Sequence, residues 1–85
     1  MPAVVIYTTC ASETEASRIG RSIVAERLAA CANILGNMHS IYHWQGALED
    51  GAETVLLLKT RTEFTDAVIA RVRELHSFSV PCVIA

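Results

Sequence analysis

The apolar residues of this chain switch back and forth between a period of two and a period of about 3.6, and the order of the switches restricts the fold more than any other feature. Ala3 to Thr9 is β-branched and aromatic and reads as a strand, apolar enough to be covered on both faces. Ser12-Glu13-Thr14-Glu15 has the form of a capping box: Ser12 accepts from a free N–H at a helix start and Glu15 reaches back. Ala16, Ile19, Gly20, Ile23, Val24 and Leu28 then fall on one helical face. Cys31 to Leu35 is strand-like, Gly36-Asn37 marks a turn or bulge, Ser40 to Trp44 is strand-like again, and Gln45-Gly46 is a turn candidate. Thr54 to Thr60 is the clearest strand. Thr62 suits the N-cap of a second helix with Phe64, Val68, Val72 and Leu75 inward. Asp66 near its start and Arg71, Arg73 and His76 near its end match the helix dipole. Ser79 to Ala85 begins a last strand. Strand, helix, strand, strand, helix, strand is the ferredoxin-like βαββαβ order: an α+β domain over residues 1–85, its antiparallel sheet carrying two helices on one face.

A domain of 85 residues buries only about 60% of the surface that its unfolded chain exposes, yet 52% of this chain is hydrophobic. That excess calls for a partner surface, and oligomerisation is the expected solution. Disulfides are not: Cys10, Cys31 and Cys82 are odd in number, and no two stand at a redox or zinc-knuckle spacing. At least two of them read as small buried hydrophobes. The net charge is −2 and no basic stripe is visible, which argues against nucleic-acid binding through phosphate neutralisation. The start from Met1 lacks the basic region of a signal peptide, and no apolar run reaches the roughly 18 residues of a membrane span. A reducing cytoplasm is the expected location.

Several side chains could carry chemistry. His39 and His43 lie four apart, but on a strand their Cα atoms stand about 13 Å apart, so they read as surface or interface residues and not as a metal pair. Lys59 shares a strand face with Val55 and Leu57; it either snorkels to solvent or lines a pocket for an anion. Tyr42 and Trp44 share a face and suit an interface or a pocket floor. Cys10 or Cys31 with His76 could form a hydrolase pair, but no nucleophile signature accompanies them. No phosphate-cradling glycine loop and no HExxH motif is present, so an enzyme is not expected.

Three segments carry a family resemblance. Glu26-Arg27-Leu28-Ala29-Ala30-Cys31-Ala32-Asn33-Ile34 resembles the ERLAACVNI signature of the CutA divalent-cation tolerance family, Ser40 to Gly46 its SIYWWQG segment, and Leu57 to Thr62 its LIKTR segment. His76, Val80 and Pro81 match its HPYEVPE stretch in part. The resemblance implies a homotrimer joined through the second and third strands, as in PII signalling proteins, and a link to copper and other divalent cations without an established reaction. It also implies an alternative: a PII-like regulator binding a small anion or partner protein in inter-subunit clefts lined by Lys59, Tyr42 and Trp44, with Cys31 as a further pocket or interface residue. Here HPYEVPE reads His76-Ser77-Phe78-Ser79-Val80-Pro81-Cys82, without its two glutamates, and the cysteine and histidine that some members carry are Thr8 and Leu75. Family members continue beyond the position of Ala85, so the chain reads as a C-terminally short or divergent member. The expected metal ligands are His76 and Cys82, completed by Cys10. Thiolate and imidazole donors suit Cu(I).

Overall fold

The computed structural model describes residues 2–85; Met1, where the sequence reading of the N-terminus begins, lies outside them. The elements are β1 (Ala3–Cys10), α1 (Glu13–Ala25), β2 (Cys31–Trp44), β3 (Ala47–Arg61), a 3₁₀ turn (Thr62–Phe64), α2 (Thr65–Leu75) and β4 (Val83–Ile84). The sheet order is β2-β3-β1-β4, and every neighbouring pair is antiparallel. This is the expected ferredoxin-like α+β architecture.

Alternation builds the core. Ile6 pairs with Leu58 and Thr8 with Leu56, so these side chains and Cys10 face the helices, where Ile19 and Ile23 of α1 and Val68 and Val72 of α2 meet them. Each such apolar side chain contributes about 1.5–3 kcal/mol by leaving water. Gly20 sets how closely α1 approaches the sheet: a Cβ there would lie 3.1 Å from that of Ala32 and 3.3 Å from Leu56 Cδ1.

The ends of the elements follow local chemistry. Ser12 Oγ accepts from the Glu15 N–H at 3.1 Å, the first half of the capping box, while the Glu15 carboxylate reaches one residue past the cap and accepts from the Ala11 N–H at 3.1 Å. At the other end α1 stops before Leu28. The Arg27 N–H bonds to the Val24 carbonyl and the Leu28 N–H to the Ile23 carbonyl, which is a Schellman closure. Arg27 takes the left-handed position with φ 62°. The fold of the chain back toward the sheet is then fixed by the Thr60 hydroxyl donating to the Leu28 carbonyl at 2.6 Å. Arg71 of α2 grips Glu26 with two hydrogen bonds of 2.8 and 2.9 Å.

Of the two readings of Gly36-Asn37, a turn or a bulge, the bulge holds: the runs at 31–35 and 40–44 are one strand, and the register shifts between Leu35 and Met38. Three expectations about boundaries need correction. β3 begins at Ala47 and not at Thr54. Its first residues, Ala47 to Glu53, lack apolar alternation and are held extended by pairing with β2 across a two-residue turn in which Gln45 (φ 51°) and Gly46 (φ 81°) are both left-handed. Thr62 opens a 3₁₀ turn and gives no side-chain cap. The last strand is only Val83–Ile84, paired with Thr8 and Tyr7; Pro81 has no N–H to offer a ladder.

The result is a β2–β3 hairpin much longer than the helices. At strand rise the 15 residues of β3 are long enough to run the full 42 Å of the molecule, against about 20 Å for α1. The molecule measures 42 × 22 × 21 Å. Ile41, Trp44 and Leu48, at 64%, 62% and 65% exposure, lie on the uncovered half of the hairpin.

The left-handed Arg27 generates a test. Glycine carries no Cβ penalty there, so Arg27→Gly should stabilise the fold by about 0.5–1 kcal/mol, read as a raised urea midpoint at unchanged slope.

Candidate functional site

The alternation of chain direction puts the C-terminal end of β1, the first turn of α1 and the C-terminal end of α2 at one pole of the domain. Cys10, Glu15 and His76 occupy those three places, and their donor atoms lie within 4.8 Å of one another. Two of the three are expected ligands. Glu15 is the one that sequence reasoning missed: its capping-box role accounts for the residue so fully that a second role leaves no trace in the pattern. The available signal was its place in the helical turn that follows Cys10.

Each member of the cluster is held from behind. The Glu15 side chain, only 10% exposed, accepts from the Ala11 N–H at 3.1 Å and from the Ser77 N–H at 3.0 Å. Burial raises its pKa, but the hydrogen bonds from Ser77 and Ala11, with His76 nearby, outweigh burial and leave it lowered. Cys10 is fully buried, and its thiol is pushed up to about 11, first by burial and then by the Glu15 carboxylate. The His76 ring sits between two backbone groups. Its Nε2 lies 2.7 Å from the Thr9 carbonyl, and its Nδ1 accepts from the Phe78 N–H at 3.1 Å. That pattern selects the tautomer with the proton on Nε2. The Phe78 ring packs on the imidazole with centroids 4.6 Å apart.

Cys82 does not join this group, contrary to its expected place beside His76. Val83 is buried against the core, so Cys82, one residue earlier, faces away and is exposed. Its carbonyl accepts from the Thr8 hydroxyl at 2.7 Å, and the residue lines a cavity of about 780 Å³ with Tyr42, Trp44, Glu53 and Phe78. Tyr42 and Trp44 do share a face. Lys59 does not meet them: it pairs with Cys31 at the opposite end of the hairpin, about 40 Å along β3 from the partner of Trp44. A cleft lined by all three needs more than one chain. His39 hydrogen-bonds Asp50 at 2.7 Å on the exposed hairpin, with His43 further along the same extended strand. The hydrolase pairing has the wrong chemistry at Cys10, because a buried thiol held protonated is a poor nucleophile, and Cys31 lies at the far pole.

A family model described as CutA1 divalent ion tolerance protein matches residues 4–85. The chain is 39% identical over 85 residues to Protein CutA 1, chloroplastic, of Oryza sativa subsp. japonica, a match that takes in 100% of this chain and 48% of that protein. It is 42% identical over 81 residues to the divalent-cation tolerance protein CutA of Thermus thermophilus, covering 95% of this chain and 79% of the relative. The crystal structure of CutA1 from Oryza sativa superimposes with a TM-score of 0.94 at 38% identity, over 99% of this chain and 77% of that one. The periplasmic divalent cation tolerance protein CutA of Archaeoglobus fulgidus does so with 0.91 at 35% identity, over 96% and 79%. The chain spans about half the length of the first curated relatives it matches. The Thermus thermophilus and Archaeoglobus fulgidus relatives are named for divalent-cation tolerance. Among the described residues no helix is long and apolar enough to cross a membrane.

The depressed Glu15 pKa ties stability to acid. A carboxylate whose folded pKa lies below its unfolded value of about 4.5 stabilises the fold above that value and stops doing so as pH falls through the folded pKa. Urea unfolding at a series of pH values below 5 should show a steeper loss of stability in the parent than in Glu15→Gln, which has no proton to take up. Equal slopes would contradict the assignment.

Proposed function

The chain belongs to the CutA1 divalent ion tolerance family, and from that premise we propose that it binds a divalent cation, copper foremost, through Cys10, Glu15 and His76, as a homotrimer in a reducing cytoplasm and without a catalytic reaction. The observation that carries the reading is the gathering of a thiol, a carboxylate and an imidazole within 4.8 Å. The donor types fit. Sulfur and imidazole nitrogen select copper and zinc over magnesium or calcium, and copper stands above zinc in the affinity order of divalent ions. Glu15 restores an oxygen donor that the segment from His76 to Cys82 does not supply, so the set is mixed and not purely soft. Binding would exchange the Cys10 proton and one His76 hydrogen bond for metal–ligand bonds, and would neutralise the charge that Glu15 holds near the thiol. A further ligand would come from water or a neighbouring subunit.

Trimerisation is supported by the uncovered half of the hairpin. Ile41, Trp44 and Leu48 present apolar surface there, and β2 is a sheet edge with unpaired backbone groups. Sedimentation equilibrium should give a trimer at micromolar concentration, and Ile41→Asp should shift it toward monomer. A monomeric parent over that range would refute the assembly.

Copper titration decides the cation site. Because the Cys10 thiol ionises only near 11, each bound ion must release its proton, and affinity should rise about tenfold per pH unit between roughly pH 6 and 9. Zn²⁺, a redox-silent divalent ion, titrated against a competing chelator reads this for the divalent state, and Cu(I) titrated under reducing conditions reads it for the copper form that thiolate and imidazole donors favour. Cys10→Ala should abolish the slope, and His76→Ala should weaken binding at least tenfold. Affinity that is flat with pH, or unmoved by His76→Ala, would refute the site.

A further inference from the structure

The opposite pole of the domain has a charge pattern that the cation site does not use. There the start of β1, the end of α1, the loop before β2, the end of β3 and the 3₁₀ turn surround a cavity of about 730 Å³. Arg27, Lys59 and Arg61 line it, together with apolar walls that include Val24, Ala29 and Phe64. Three of the chain's seven basic residues therefore converge on one cavity in a protein of net charge −2, and among the described residues no Asp or Glu lines it. Arg61 meets Glu63 at 4.0 Å on the exposed surface, too loosely to neutralise it. Among the described residues Arg27 and Lys59 have no carboxylate within ion-pair distance.

Arg27 adds an independent observation. It occupies the helix-closing position with φ 62°, where glycine is the unstrained choice. A charged side chain held in a disfavoured backbone conformation at the lip of a cavity is the kind of local cost that a binding role explains.

We propose that this cavity binds a small organic anion, a phosphate monoester on an apolar body, with Arg27, Lys59 and Arg61 on the phosphate and Val24, Ala29 and Phe64 against the body. A phosphate dianion suits several converging cations, and the arginine forks offer it paired N–H donors. The volume lies in the range of small-molecule pockets. The apolar walls give a bare inorganic ion nothing for much of the cavity, so the ligand needs a hydrocarbon part. The site lies at the far pole from Cys10 and does not depend on the cation reading.

Calorimetry at low salt with hexyl phosphate, inorganic phosphate and hexanol tests the inference. Hexyl phosphate should bind at least about tenfold more tightly than either of the others, and Lys59→Gln and Arg61→Gln should each weaken it about tenfold. The deciding variant is Arg27→Gly. It removes a guanidinium while relieving backbone strain, so it should weaken hexyl phosphate about tenfold, with a melting temperature at or above that of the parent and unchanged copper affinity. Undiminished binding by Arg27→Gly, or hexyl phosphate no tighter than inorganic phosphate, would overturn the proposal. Vesicles of phosphatidic acid in phosphatidylcholine separate the two sources of a phosphate monoester. Binding to them without binding to soluble hexyl phosphate would overturn the small-molecule site in favour of a lipid surface.

Discussion

The antiparallel pairing of β1 with β3 is the constraint on which the rest of this molecule depends. It runs without a break from Ala3 against Arg61 to Cys10 against Thr54, and it places Ile6, Leu56 and Leu58 in the layer beneath both helices. Because β1 also carries β4 on its other edge, it lies inside the sheet. Its two ends consequently define two poles. One gathers the turn into α1 and the exit from α2. The other gathers the exit from α1, the entry to β2 and the close of β3. The first brings together a thiol, a carboxylate and an imidazole, and the second three basic side chains.

Hydrogen bonds to the backbone hold the donor cluster more closely than charge pairing does, the Arg18 guanidinium standing 3.8 Å from Glu15. Glu15 takes two backbone N–H groups, and His76 takes one N–H and reaches one carbonyl. Those bonds tie the loop after α2 to the loop before α1, so the side chains are positioned in advance of any ligand. Burial pushes both the Cys10 and the Glu15 pKa upward, but it prevails only at Cys10. It holds Cys10 as a thiol, while the hydrogen bonds keep Glu15 ionised. At this pole the thiol therefore keeps its proton while the neighbouring carboxylate does not.

The hairpin obeys a different rule. Beyond the helices its strands have only each other, and a two-stranded ribbon alone is marginal in water. The bulge at Gly36-Asn37 lets β2 change register without ending, so the ladder continues to Trp44 against Ala47. It thereby carries Ile41, Trp44 and Leu48 away from the chain's own core. The surplus of apolar residues in so short a chain and the uncovered ribbon are one fact seen in composition and in space.

The sequence by itself determined the order of elements, the Ser12 cap, the hairpin turn at Gln45-Gly46 and the alternation of β3, because those follow from local periods and from chemistry within a few residues; β1 read as covered on both faces, yet Val5 is 47% exposed. It placed Lys59 on the face of Val55 and Leu57 and Tyr42 with Trp44, since alternation is local too. It did not determine where β3 begins, because Ala47 to Glu53 are held extended by a partner strand and not by their own pattern. Which donors meet was likewise a matter of tertiary structure. Cys10, Glu15 and His76 are far apart or differently employed along the chain and converge only when α1 and α2 pack on one face of the sheet. Cys82 lies near His76 in sequence, yet Val83 takes the inward position on β4 and turns Cys82 outward. Nearness along a chain fixes periodicity; the packing of distant elements fixes which side chains share a site.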